Sequence, residues 1–368
     1  MCNRLVIVCA ILFSVASCKS SGPKKNLNPS WAILPFTKVD SVNPILLPDT
    51  TGIFTDPLLH RSVAWEAKDV FNPAAVVMNN KVYLLYRAED TIVANPSTSR
   101  IGLAVSEDGM HFTSLNDPVF FPGNDTMEKY EWEGGCEDPR IVQREDGLFL
   151  MTYTAFDGKI ARLCLAVSKD LKNWDKQGLI FGQFKKGKYR DLWSKSGAIL
   201  VCKKGDQLIA CKIHGKYWMY WGDSDIFLAS SDDGIHWEPT EENDRLKKIF
   251  SPRKGYFDSR LVEPGPLALY TDTGIVLIYN SMNHDHLGDP ELEPGTYAVG
   301  QILLDKNDPS KVLDRMDHYF IKPERDYEIN GQVNRVCFAE GMAPFHGKWF
   351  LYYGTADSKI AVAVAPIR

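Results

Sequence analysis

From residue 70 onward, short runs of aliphatic, β-branched and aromatic residues alternate with polar turn signals. One run reads Val82-Tyr83-Leu84-Leu85-Tyr86-Arg87-Ala88. It returns as Leu148-Phe149-Leu150-Met151-Thr152-Tyr153, Tyr217-Trp218-Met219-Tyr220, Ile275-Val276-Leu277-Ile278-Tyr279 and Trp349-Phe350-Leu351-Tyr352-Tyr353. Turn formers such as Asp146-Gly147, Gly215-Lys216 and Gly347-Lys348 stand before these runs, which therefore read as strands. A second unit follows the first three: Leu103 to Phe112, Leu165 to Trp174 and Leu228 to Trp237, each a strand, a tight Asp-containing turn and an aromatic anchor. Weaker echoes stand at Ala298 to Ile302 and Ile360 to Ala363. The period is roughly 60–70 residues. Five strand-turn-strand copies predict an all-β chain folded as a five-bladed β-propeller, because radial repetition spaces its units evenly and the competing Greek-key sandwich does not. Residues 31–70 read as an N-terminal strand or closing segment, and 31–368 as one propeller catalytic domain.

The longest apolar run lies outside that pattern. Arg4 is followed by Leu5 to Ala16, then Ser17 and Cys18, which reads as a secretory signal too short to span a bilayer. Val15-Ala16-Ser17-Cys18 looks like a bacterial lipobox, which makes residues 1–17 a lipoprotein signal and Cys18 the lipidated first residue. Residues 18–30 then form a flexible tether, and the expected location is the periplasm, with the membrane touched only through the lipid. With the net charge at −5 over 368 residues, there is no broad footprint for nucleic acid. Five cysteines remain after Cys18, an odd number that excludes a disulfide scaffold; Cys202 and Cys211 flank a turn and are placed to pair across a hairpin. No Cys/His spacing suggests zinc, and His284-Asp285-His286 reads as a solvated loop.

A propeller brings polar residues at distant strand ends into one pocket. Those ends carry Asn72, Arg87, Glu137-Asp138-Pro139-Arg140, Ser194-Lys195-Ser196, Asp223, Glu263, Glu340 and Asp357. Carboxylates beside Trp and Tyr suit a sugar: acids accept bonds from vicinal hydroxyls, rings pack on C–H faces, and paired acids serve glycosidic cleavage. The Asp-Gly pairs at 108–109 and 233–234 read as turn formers, and Tyr86, Tyr153 and Tyr279 as core.

Phe71-Asn72-Pro73-Ala74, Leu85-Tyr86-Arg87-Ala88, Gly135-Cys136-Glu137-Asp138-Pro139-Arg140-Ile141, Ser194-Lys195-Ser196-Gly197-Ala198 and Tyr352-Tyr353-Gly354-Thr355-Ala356-Asp357, in this order, resemble glycoside hydrolase family 130, the mannoside phosphorylases and mannosidases. The resemblance spans most of residues 65–368 and implies a five-bladed propeller. It makes Asp138 the proton donor, acting through a mannose hydroxyl. It puts Asn72, Arg87 and Asp357 around the −1 mannose, adds Arg100 and Lys195 to the same wall, and has Arg140 orient the Asp138 carboxylate. Family phosphorylases carry a His-Arg pair for phosphate after the third strand. Here Tyr217-Trp218-Met219-Tyr220-Trp221-Gly222-Asp223 stands there, and Glu263 occupies the turn before the fourth. Acids in place of cations repel phosphate and can activate water instead.

The implied activity is an inverting exo-β-mannosidase on short mannan or N-glycan β-mannosides, β-1,2 linkages favoured. Asp138 is its acid and Glu263 its base, with Asp223 assisting, and no metal or organic cofactor is required. Two alternatives stay open: a β-mannoside phosphorylase using inorganic phosphate, and a non-catalytic glycan-binding lipoprotein. Oligomeric state is not legible.

Overall fold

The structure is a computed structural model, and it describes residues 28–91 and 97–367. The signal over 1–17, Cys18 and most of the tether over 18–30 lie outside the described residues.

Strand is the dominant regular structure of the described residues, which hold two four-residue α-helices, Glu128–Glu131 and Asp326–Ile329. Its strands fall into five consecutive antiparallel groups. The first is Asp69–Met78, Lys81–Glu89, Ser99–Ser106 and Thr113–Ser114. The second is Gly135–Gln143, Phe149–Phe156, Ala161–Ser168 and Asp175–Leu179. The third joins Ala198–Lys204, Tyr217–Trp221, Ile226–Ser231 and the short Glu238–Pro239 and Lys248–Phe250. The fourth is Leu261–Tyr270, Ile275–Met282, Tyr297–Leu304 and Val312–Arg315. The fifth, Cys337–Phe345, Lys348–Thr355 and Lys359–Pro366, takes its outer strand from the other end of the chain: Thr37 pairs with Val364 and Lys38 with Ala363. The closing strand expected within 31–70 is therefore Thr37–Lys38.

Each predicted aromatic run is the second strand of a group, and its tyrosine is fully buried. A buried phenol needs a partner. Tyr86 donates to Glu66 at 2.6 Å, Tyr153 to Glu131 at 2.8 Å, Tyr279 to Asp258 at 2.8 Å and Tyr353 to Glu328 at 2.9 Å, each acid coming from the segment before its group. In the third group Tyr220 instead donates to the Pro309 carbonyl at 2.8 Å. The repeat is thus a repeat of buried contacts as well as of hydrophobic pattern. Cys202 and Cys211 form a disulfide across the hairpin, and Cys136, Cys164 and Cys337 are buried thiols.

The first strands of the groups pack against one another at the centre. Four of the five carry a register irregularity near their start: at Phe71/Pro73, Glu137/Arg140, Pro264/Ala268 and Ala339/Gly341. A bulge inserts an unpaired residue and re-aims its side chain. Proline stands at three of them (Asn72-Pro73, Asp138-Pro139, Glu263-Pro264), since it cannot supply a ladder N–H there.

Candidate active site

The bulges decide which side chains meet. Asn72 and Asp138 have φ of 47° and 50°, in the left-handed region, and Ser196, just before the third first strand, has 58°. Asparagine and aspartate tolerate that conformation better than most residues. Asn72 Nδ2 donates to Asp138 Oδ1 at 2.9 Å. Gly354 leaves room for it: a Cβ there would lie 2.5 Å from Asn72 Oδ1.

Asp138 sits between two cations. Arg87 Nη1 lies 3.2 Å from Oδ1, and Lys195 Nζ lies 3.1 Å from Oδ2. Burial pushes the carboxyl upward, but the Lys195 and Arg87 charges and the Asn72 bond outweigh it and hold Asp138 well below the usual carboxylate range. Glu137 shares the same cations, 3.1 Å from Arg87 Nη2 and 3.5 Å from Lys195 Nζ, yet burial raises its proton affinity. Glu89 completes the Arg87 cradle at 2.9 Å and takes Lys68 at 2.6 Å.

Within electrostatic reach of Lys195 stands Glu263. It is buried and accepts a short hydrogen bond from the Ser196 hydroxyl. Burial lifts its pKa to about 7, with Lys195 and Arg140 opposing and Asp223 adding to the rise. Asp357 is likewise lifted to about 7, mainly by burial, against the Arg87 charge. Asp223 is partly open, and its Oδ2 accepts the Trp193 indole N–H at 2.5 Å. Glu340, at the fifth bulge, is 1% exposed; neither carboxyl oxygen has a hydrogen-bond partner, and the nearest cation, Arg140 Nη1, is 3.4 Å away. Burial therefore raises its proton affinity strongly.

So Asn72, Arg87, Asp138 and Lys195 are joined by direct contacts, Glu263 and Asp357 interact electrostatically with members of that cluster, and Asp223 interacts with Glu263. Two expectations are corrected. Arg100 does not line this wall: it is fully buried, and its guanidinium is turned to Asp56 at 2.6 Å, Asp90 at 2.7 Å and the Thr98 carbonyl at 3.2 Å. Arg140 does not bond the Asp138 carboxylate. It donates to backbone carbonyls of Asp138 at 3.2 Å, Gly265 at 2.9 Å and Pro264 at 2.9 Å, and so clamps two strands together rather than binding substrate. Glu89, Glu137, Ser196 and Glu340 also belong to the site; Glu137, Ser196 and Glu340 stood among the strand-end residues without an assigned role, and Glu89 ends the Lys81–Glu89 strand two residues after Arg87. Glu137 and Glu340 sit at the register irregularities of their strands.

Away from this cluster, Asp289, Glu291 and His318 bring ligand atoms within 4.8 Å of one another. Nothing else among the described residues points to an ion there.

Residues 53–368 match a family model described as beta-1,4-mannooligosaccharide phosphorylase, Glyco_hydro_130. A 1,2-beta-oligomannan phosphorylase of Thermoanaerobacter sp. (strain X514) is 33% identical over 311 residues, covering 83% of this chain and 92% of its own. A glycosyl hydrolase structure from Bacteroides ovatus superposes with a TM-score of 0.91 at 46% identity, over 94% of this chain and 99% of that one. Another solved structure, at 44% identity and a TM-score of 0.91 over 94% and 99% of the chains, comes from a description of family members that are hydrolases targeting β-1,2 mannosidic linkages in Candida mannan. The chain belongs to glycoside hydrolase family 130, a family of mannoside phosphorylases that also contains glycoside hydrolases.

Proposed function

We propose that the protein is an inverting exo-β-mannosidase that uses water on short β-mannosides, β-1,2 linkages favoured, and that its five strand groups are the five blades of a propeller. The observation that carries this reading is Glu263: a buried carboxyl with a pKa of about 7, held by Ser196. A base poised near neutrality suits proton abstraction from water. The nearby cations Arg87 and Lys195 are already engaged by Asp138, Glu137 and Glu89, so an incoming phosphate dianion would compete with three carboxylates for them.

Glu263 takes a proton from water while the oxygen attacks the anomeric carbon. The glycosidic C–O bond breaks, and the leaving oxygen receives a proton from Asp138 by way of a sugar hydroxyl. Asp138 is ionised in the resting site and Glu263 holds a proton, so the reactive complex forms when Glu263 releases its proton to solvent and Asp138 takes one up. Sugar hydroxyls that draw the Lys195 and Arg87 side chains away from Asp138 raise its proton affinity. Asn72, Arg87, Lys195 and Asp357 surround the mannose. Signal peptide, Cys18 lipidation and a periplasmic location belong to this proposal from the sequence alone.

The second reading is a phosphorylase, favoured by the family description and the Thermoanaerobacter relative. Chromatography of β-1,2-mannobiose digests with and without phosphate separates the two. Mannose should appear at the same rate in both; mannose 1-phosphate as the product overturns hydrolysis.

A further inference from the structure

Trp193 is the only Phe, Tyr or Trp exposed among the described residues, at 48%. It is nevertheless held in place. Its indole N–H donates to Asp223 Oδ2 at 2.5 Å, and the Phe156 ring meets it edge-on with centroids 6.3 Å apart at 69°. An aromatic ring fixed by a charge-assisted bond and an edge contact, with a face left to solvent, is ordered without being buried.

Its place is beside the cluster described above. Trp193 stands two residues before Lys195, so the two Cα atoms are at most about 7 Å apart. Lys195 holds Asp138, and the Lys195 carbonyl accepts the Gly222 N–H at 2.9 Å, which ties this segment to Asp223. The indole thus lies between Phe156 of the Phe149–Phe156 strand and Asp223 of the loop after Tyr217–Trp221, close along the chain to Lys195 and half open to solvent.

We propose that Trp193 is the stacking platform for the sugar on the acceptor side of the scissile bond, and that Asp223 serves to orient this ring rather than to deprotonate water. The inference rests on the mannoside-cleaving reading and deepens it. The ligand class is a neutral oligosaccharide of at least two pyranose rings, whose second ring offers a C–H face to the indole. A mannosyl donor with a small leaving group has no second ring to place there.

The test compares wild type, Trp193→Ala and Trp193→Phe on β-1,2-mannobiose and on β-mannosyl fluoride, with and without phosphate. In Trp193→Ala, the ratio of kcat/KM for mannobiose to that for the fluoride should fall at least tenfold, chiefly through the mannobiose KM, and Trp193→Phe should recover most of it. A ratio within twofold of wild type overturns the proposal. If the wild type releases mannose 1-phosphate, hydrolysis fails as a reading, but the ratio still decides this one. If it cleaves neither compound, calorimetric titration with mannobiose decides: tenfold weaker binding by Trp193→Ala supports the platform, and unchanged binding or none by the wild type overturns it.

Discussion

Aspartates in the turns and acids where the first strands meet have opposite fates. Asp108, Asp170 and Asp233 each accept two backbone N–H bonds from the residues that follow, and a bond from the serine two positions earlier. Burial is the largest single push on Asp108 and Asp233 and drives them up, but the bonds together, the adjacent histidine's included, outweigh it and hold both well below the usual range; bonds from Asn173 bring Asp170 to about 2. At the centre the donors are fewer and water is excluded. There burial prevails at Glu263, Asp357 and Glu340, while Asp138 stays ionised only because two cations flank it. The carboxyl is the same; donor supply and water access decide whether it holds a turn or carries a proton.

The comparison breaks first at the centre. Glu263→Gln should lower kcat on β-1,2-mannobiose by about 10²–10⁴, the usual contribution of one acid–base group. Turnover near the wild-type level in steady-state assays would make Glu263 a structural acid like those in the turns.

A middle-sized effect sharpens it. In the resting site Glu263 holds the one proton and Asp138 is ionised, while the reaction needs one proton, on Asp138; kcat/KM should therefore fall about tenfold per pH unit above pH 7, and the break at pH 7 should vanish in Glu263→Gln. Stability has its own window. The folded protein keeps a proton on Glu263 that the unfolded chain releases near 4.5. Its contribution is complete below pH 4.5 and is lost as pH rises to about 7. Thermal melts across that window should show less loss in Glu263→Gln.

The smallest effect tests the rim. Asp233→Ala removes acceptors for two turn N–H groups that can turn to water, so it should cost about 1 kcal/mol. In calorimetry this is roughly 1–2 °C in Tm for a chain of this size. The kcat should not change, because Asp233 lies in an outer turn.

Much of the site could be read as recurrence. Asn72, Arg87, Asp138, Lys195, Glu263 and Asp357 stood in repeated positions at strand ends, and the resemblance to the family singled them out. Arg100 shared that context and was misplaced. Along a strand its side chain falls on one of two faces, and Asp56, far off in sequence, lies on the face it takes. Glu340 was visible in the repeat, but nothing local marks a carboxyl that will lose its donors on folding.

The sequence by itself determined an all-β chain of five strand units, the buried tyrosines and the turns, because these depend on side-chain period and on contacts within a few residues. Tertiary structure alone decided that Arg140 clamps carbonyls, that Asp138 shares its cations with Glu137, and that Trp193 stays open beside Asp223. Those outcomes depend on bulges and on the distances between segments remote in the chain, and the electrostatic balance at a buried carboxyl is set by whatever that packing brings within a few ångströms.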